Sequence, residues 1–279
     1  MADQKVWFIT GVSRGFGRVL TEYALAHNDI VIGTTRDGRA SFAGDTRNVQ
    51  VLPLELSDPA AIRATIAKAH ALHGRLDVVV NNAGYGLLGS VEEATEEQVG
   101  HLFEVNFHGT RRVVQAVLPF LRKQRSGHIL NITSIAGLAP GAGSGFYAAS
   151  KFAVEGFSQS LAQEVAPLGI KVTLVEPGAF RTDFLSDRSI RNIAAEIEDY
   201  APTAGAAQAN LAKMAGHQIG DPSKAASAIF QITRESPPPL HLVLGSDALR
   251  RTRENQAQLS ADIQRWETLT LGTDFPKGT

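Results

Sequence analysis

Tyr147 and Lys151 stand four residues apart in the stretch YAASK, with only small residues between them. A tyrosine ordinarily titrates near about 10, so at neutral pH it is a reluctant proton donor or acceptor. A cation beside it favours the phenolate and brings its pKa down toward the working range. On a helix, positions four apart share one face. Lys151 is therefore expected one turn above Tyr147, with Ala148 and Ala149 leaving room. This is the spacing of an acid–base pair.

A second group of residues could hold a phosphate. TGVSRGFG, residues 10–17, carries glycines at 11, 15 and 17 in a G-x3-G-x-G spacing. It follows an apolar run and opens a helical pattern. Glycines permit a tight turn and a close backbone approach, and a helix start offers free amides and a positive dipole end to a pyrophosphate. Two arginines bear on which dinucleotide would fit. Arg14 lies in the glycine loop and Arg36 follows the second apolar run, where two guanidinium groups could converge on a 2′-phosphate. Asp37 is the competing reading, since a carboxylate at the end of that strand binds a ribose 2′-hydroxyl.

The elements that must position these groups alternate along the chain. Strands are expected at 5–10, 30–36, 49–56, 76–84, 127–134, 170–178 and 240–245, with Pro53 marking the third as an edge. Helices are expected at 17–27, 59–74, 95–124, 145–169 and 222–236. Thr95 opens the third of these and Pro119 kinks it, while Ser57 or Asp58 caps the second. Apolar runs that are continuous, not alternating, belong to strands covered on both faces. The fold class is α/β: a single-domain Rossmann fold over residues 1–279, a doubly wound seven-stranded parallel sheet with helices on both faces. Two segments break the alternation. Residues 179–221 are expected to be a substrate-binding loop insertion, and 246–279 a C-terminal helical tail.

Composition narrows the class. With 27 Lys and Arg against 28 Asp and Glu, the formal net charge is −1, and no block of like charge offers a footprint for nucleic acid or an anionic membrane. There is no cysteine, which excludes disulfides and thiolate chemistry. No apolar run approaches the roughly 18 residues of a membrane span, and the first ten residues do not read as a signal peptide. A soluble, cytoplasmic protein is expected. The eight histidines show no metal-ligand spacing, so no metal is expected; His27, His70, His73 and His101 read as surface or packing residues.

With TGVSRGFG (10–17), NNAG (81–84), the Asn of EVNFHG (104–109), ITS (132–134), YAASK (147–151) and PG (177–178) with Thr182 following, all in order, the chain resembles the short-chain dehydrogenase/reductase family. The motifs cover roughly residues 5–185. NNAGYG and LGSDAL are similar to members grouped with 17β-hydroxysteroid and retinol dehydrogenases. The resemblance implies a carbonyl reductase that interconverts a ketone or aldehyde and an alcohol by hydride transfer, and on the reading of Arg14 and Arg36 above NADP(H) is expected to be preferred over NAD(H). It implies Asn106, Ser134, Tyr147 and Lys151 as the catalytic set. Tyr147 delivers the proton that a reduced carbonyl needs, and Ser134 holds the substrate oxygen. Lys151 also bonds the nicotinamide ribose, and Asn106 positions a water behind it. Along the cofactor the resemblance places Gly11, Ser13, Arg14, Gly15, Phe16, Gly17, Arg36, Glu55, Leu56, Asn82, Ala83, Gly84, Tyr147, Lys151, Pro177, Gly178, Phe180 and Thr182. Glu55 departs from the family's usual aspartate, which puts its adenine contact in question.

Bland readings stand beside these. Asn106 is a helix-packing amide, Ser134 or Ser150 a helix cap, and Thr182 an N-cap. Of Asn81 and Asn82, one ties strands together and the other faces the adenine ribose. The substrate wall is read from Ser134, Tyr147, Tyr85, Leu138, Phe146 and Phe184, with Leu87 and Phe180 nearby, and suits a moderately apolar small molecule. Arg181 and Arg188 are the possible exceptions. The alternative function is a catalytically silent NADP(H)-binding regulatory protein. A sugar-nucleotide epimerase or dehydratase is a second rival, though those chains are usually longer. The resemblance also implies a homodimer or homotetramer built on the long helices that carry Asn106 and Tyr147. Sedimentation at micromolar concentration is expected to give at least twice the chain mass; a monomer alone would refute this.

Overall fold

The computed structural model describes residues 4–186, 188–194 and 197–275. Seven parallel strands form the main sheet: β1 (Val6–Thr10), β2 (Ile30–Thr35), β3 (Val49–Pro53), β4 (Val78–Asn81), β6 (Gly127–Ile132), β7 (Ile170–Pro177) and β9 (His241–Leu244). Their order is β3-β2-β1-β4-β6-β7-β9. The chain winds outward from β1 to β3, then returns to lie beside β1 and winds the other way. This reversal opens a crevice at the C-terminal ends of β1 and β4. Pro53 pairs with Thr35 at the end of the edge strand β3, the position expected for a residue with no N–H to donate.

The strands are apolar at successive positions because each face has its own core. Val6 and Phe8 point to one face, where Ile62 and Ile66 of α2 (Pro59–His73) join Val113 and Val117 of α4 (Thr110–Gln124) and Leu161 of α5 (Gly145–Val165). Trp7 and Ile9 point to the other, against Leu20 and Ala24 of α1 (Gly15–Ala26) and Ile229 and Phe230 of α7 (Pro222–Ile232). Helix starts follow local chemistry. Asp58 accepts from the amides of Ala60 and Ala61 with Pro59 behind it, and Thr95 forms a capping box with Gln98.

Three local outcomes differ from the sequence expectation. The helix expected over 95–124 is divided by a π-helical stretch, Glu104–Gly109, between α3 (Glu96–Phe103) and α4. Helix α4 continues past Pro119, the residue expected to kink it, and both Pro119 and Gln115, whose carbonyl loses its partner, face solvent. Residues 179–221 hold their own structure. A short strand β8 (Ile190–Asn192) pairs in parallel with β5 (Gly86–Leu88), and α6 (Ala206–Met214) follows. The tail forms α8 (Ser246–Leu271), and the last four residues of the expected tail lie outside the described residues. No helix among the described residues is long and apolar enough to cross a membrane.

One polar knot sits at the bottom of the sheet. The buried Asp29 accepts from the Lys5 amide at 3.0 Å, the Trp7 indole at 2.7 Å and the Arg234 guanidinium at 2.6 Å. Arg234 also lies over the Phe230 ring, 3.6 Å from its centroid. Removing the carboxylate strands three donors and a half-buried cation. Asp29→Ala is therefore expected to lower the unfolding free energy by about 3–5 kcal/mol. Arg18→Ala breaks only the surface pair with Glu22 and should cost about 0.3–0.5 kcal/mol. Urea unfolding of both variants checks the contrast.

Candidate active site

The site is assembled at the crevice from the C-terminal ends of four strands. After β1 comes the glycine loop. Gly11 and Gly15 have φ of +73° and +58°, which other residues adopt at a cost. At Gly17 a Cβ would collide with the Gly11 carbonyl and the Asn82 amide. Helix α1 then starts at Gly15 with no side-chain cap from Arg14 and no acidic residue in its first turn. Its first amides remain available to an anion, the arrangement a pyrophosphate requires. Beside Gly15 the nearest side chain a Cβ would meet is Thr182, at 4.0 Å, so backbone stands open there. The cradle fits the dinucleotide that the sequence implies.

After β4 comes NNAG. Asn81 bonds Asn131 of β6 at 2.8 Å and ties the two strands. Asn82 does not turn outward toward a ribose, as one of the pair was expected to do. Its amide donates to the carbonyls of Thr10 and Gly11, each at 2.9 Å, and braces the glycine loop. Thr10 returns the brace, its hydroxyl accepting from the amides of Asn82 and Ala83. Gly84 is the meeting point: a Cβ there would lie 3.0 Å from Asn106 Oδ1 and 3.7 Å from Lys151 Nζ.

Asn106 lies in the π-helical stretch. Its Oδ1 accepts from the Tyr85 amide at 3.0 Å, and its Nδ2 donates to the Tyr85 carbonyl at 2.9 Å and to Ser150 Oγ at 3.2 Å. It clamps the chain that leaves β4. Ser150 is no helix cap: it is wholly buried within α5, and its hydroxyl donates to the Tyr147 carbonyl.

Ser134, after β6, accepts from the Ala136 amide at 3.1 Å and so caps the short 3-10 turn Ile135–Gly137. The same hydroxyl neighbours the Tyr147 side chain, where it favours the phenolate. The capping reading of Ser134 holds, and the cap leaves it beside Tyr147. Lys151 donates from Nζ to the Ile132 carbonyl at 2.9 Å, and Nζ lies 5.8 Å from the Tyr147 ring centroid.

The electrostatics are those of burial. Tyr147 is pushed up to about 12 by desolvation, which the neighbouring Ser134 hydroxyl only partly offsets. The expected lowering by Lys151 is absent from this geometry. Burial brings Lys151 itself down to about 8, opposed by the negative charge of Glu155.

Around the crevice the remaining expected residues divide. Phe184 packs against Tyr147, ring centroids 6.0 Å apart, together with Ala136 and Ala148. Phe146 and Tyr85 flank a separate small cluster of Leu87, Leu102 and Ile193, in which Leu87 is core and not wall. Tyr85 bonds His101 through its hydroxyl and carries the Arg191 guanidinium over its ring. Leu138 is drawn away to α8, packing with Ile135, Ala139, Ala248 and Val243; it does not join Tyr147. Phe180 is buried edge-on to Phe16, where it supports the glycine loop. Thr182 caps the turn at Phe184, beside Gly15. Pro177 ends β7, and Gly178 is held by its amide to the Leu244 carbonyl. Leu56 is buried in the core against Gly109, and Glu55 is exposed, accepting from the Ser57 amide. Ser13 is exposed in the loop.

The two arginines do not converge. Arg14 reaches to the excursion, donating to Ser189 Oγ at 3.0 Å and to the Arg188 carbonyl at 2.9 Å. Arg36 stands exposed at the end of β2. Asp37 accepts from the Thr35 hydroxyl and the Arg39 amide, and these bonds hold its carboxyl below the usual range. Arg181 donates to the Gln218 carbonyl and Arg188 is exposed. His27 and His70 pack on aromatic rings, as expected.

Some participants carried no sequence signal. Asp247 of α8 accepts from the Ala179 amide at 2.8 Å and fixes the turn after Gly178. Glu155, Glu176 and His241 gather behind Lys151. Glu155 belongs to no motif, and the tertiary packing buries it to 3% exposure.

A short chain dehydrogenase family model matches residues 5–192. A 3-ketodihydrosphingosine reductase from Bacteroides thetaiotaomicron is 37% identical over 241 residues, 86% of this chain and 88% of that protein. The structure of a short-chain dehydrogenase from Streptomyces avermitilis is 39% identical with a TM-score of 0.91, covering 98% of this chain and 100% of that one. ElxO, solved with NADP bound, is 26% identical with a TM-score of 0.71, covering 89% of this chain and 100% of that one. The likeness to the steroid and retinol branch rests on the sequence resemblance alone. With a family model over residues 5–192, relatives of this identity and coverage, and a seven-stranded parallel sheet, the chain belongs to the short-chain dehydrogenase family of oxidoreductases.

Proposed function

We propose that the protein is an NADP(H)-dependent reductase of a moderately apolar ketone or aldehyde, with Tyr147 as its proton donor. The observation that carries this reading is the buried Tyr147 with Lys151 one helical turn away, its Nζ 5.8 Å from the ring, at the crevice onto which the uncapped start of α1 opens. The nicotinamide dinucleotide, when bound, supplies the hydride. Ser134 holds the carbonyl oxygen and stabilises the negative charge that develops on it. Tyr147 gives that oxygen its proton. Burial keeps Tyr147 as the neutral phenol with its pKa near 12, and an alkoxide is a stronger base than a phenolate, so the transfer runs downhill in the direction of reduction. Lys151, one helical turn away, supplies positive charge toward the phenolate that remains, and Asn106 clamps the backbone at Tyr85 next to Gly84.

The cofactor preference rests on Arg36 and Asp37. The Asp37 carboxylate is engaged by Thr35 and Arg39, while Arg36 is free to meet a 2′-phosphate. ElxO, a relative of the same fold, was solved with NADP. Residues 179–221 supply the substrate wall through Phe184, which packs against Tyr147. The B. thetaiotaomicron relative is named for a ketone on a long-chain base, and an apolar wall suits a substrate of that kind.

Tyr147→Phe keeps the ring and its packing but removes the proton. Turnover of a ketone panel with NADPH is expected to fall by about 10²–10⁴-fold while NADPH binding, read by fluorescence, persists. Retention of more than about a tenth of the rate would place the donor elsewhere and favour a silent nucleotide binder.

Arg36→Ala is expected to erase the preference for NADPH over NADH in the same binding assay. A wild type that prefers NADH, or a variant with its preference intact, would overturn the assignment of Arg36.

A further inference from the structure

Tyr147, Lys151 and Glu155 lie at i, i+4 and i+8 on α5, so one stripe of the helix carries a phenol, an ammonium and a carboxyl inward from the crevice. Glu155 is 3% exposed. Its Cγ and Oε1 crowd Gly137, where a Cβ would come within 3.2 Å and 3.4 Å of them and within 3.3 Å of the Lys151 Cβ. Across from it, Glu176 on β7 is wholly buried. His241 on β9 closes the group, its Nδ1 2.5 Å from Glu176 Oε1 and 3.9 Å from Glu155 Oε2, with its side chain 40% exposed. One ligand atom from each of the three residues lies within 4.8 Å of the other two.

The hydrogen bonding of this cluster is incomplete. Both Glu155 oxygens and Glu176 Oε2 are buried without a hydrogen-bond partner among the described residues. The Thr133 hydroxyl next to Glu155 donates to the Val175 carbonyl. The groups facing Glu155 are Lys151 on its own helix, Glu176 on β7 and His241 on β9. Two carboxylates this close in a buried site do not both ionise readily, because each charge is desolvated and each repels the other. The short contact between Glu176 and His241 requires a proton between them, and His241 meets solvent.

We propose that Glu155, Glu176 and His241 form a titratable counter-charge for Lys151, in which the two carboxyls hold one proton between them and exchange it with solvent at His241. As this proton leaves, negative charge settles behind Lys151 and keeps the ammonium charged. Lys151 is the group through which the cluster acts, so the three are positioning residues. Burial raises Glu155 to about 7 and Glu176 to about 8, while Lys151 sits near 8, so the groups titrate in one window. For the carboxyls the sign is fixed. Their folded pKa values lie above the ordinary 4.5, so the stability they contribute is full below that value and is lost as pH rises through about 8.

The inference uses the proposed role of Lys151, and its test does not depend on turnover. Thermal midpoints are measured against pH for the wild type, Glu155→Gln, Glu176→Gln, Lys151→Met and the Lys151→Met/Glu155→Gln double variant. The wild-type midpoint is expected to fall between about pH 5 and about pH 8, and either glutamine variant to flatten that fall. Lys151→Met should move the fall to higher pH by about one unit, and the double variant should lose this shift. Parallel curves for wild type and Glu176→Gln, or a Lys151→Met curve that does not move, would overturn the proposal. Binding of Zn²⁺ or Mn²⁺ by the wild type that is lost in Glu176→Gln would also overturn it, in favour of a cation site. With NADPH and a ketone, Glu155→Gln should move the alkaline limb of kcat/KM down by about one pH unit. If no ketone is reduced, the proposed function falls while the stability curves still decide the counter-charge.

Discussion

A buried lysine, Lys151, on α5 against the C-terminal end of β6 is the constraint around which this site is built. A lysine charge without partners in such a place is severely disfavoured. The fold answers with oxygen. The Ile132 carbonyl at the end of β6 accepts directly, Asn106 Oδ1 lies just across Gly84, and Glu155 opposes the effect of burial from one turn along the helix. Each of these comes from a different element, so Lys151 is well placed only when β6, the π-helical stretch and α5 are all docked. Tyr147 inherits its position from the same docking.

Side-chain amides do the fastening. Asn81 and Asn131 join β4 to β6, and Asn131 continues to Ser158 of α5 at 2.7 Å. Asn82 and Thr10 lock the glycine loop to the end of β4, and Asn106 locks the following residues to α5 through Ser150. A hydroxyl or amide reaches across where strand ends leave backbone groups without ladder partners. The same economy explains the glycines: side chains at 11, 17 and 84 would occupy the space these bonds need.

The later parts of the chain bear on the site from outside. Arg14 links the glycine loop to residues 188 and 189, so the loop after β1 and the excursion after β7 share a hydrogen-bonded seam. Helix α8 reaches back through Asp247 to the turn after β7, and through Arg251 and Asn255 to the carbonyls of Ala139 and Leu138. The tail therefore braces two of the loops that border Tyr147.

The sequence by itself determined the sheet and its class. Continuous apolar runs specify strands buried on two faces, and the spacing of glycines, Tyr147 and Lys151 specifies a local turn and a local helix face, so each can be read within a few residues. Side-chain direction across elements is another matter. Whether Asn82 faces a ribose or braces Gly11, whether Leu138 joins Tyr147 or α8, and whether Arg14 meets Arg36 or Ser189 depend on contacts up to 175 residues apart in the chain. The π-helical stretch at Asn106 arose where that amide had to reach the Tyr85 backbone, a demand no helical periodicity records. Glu155, Glu176 and His241 come from α5, β7 and β9, and none lies in a motif. Their burial, and with it their altered protonation, exists only once the sheet has been laid down and covered.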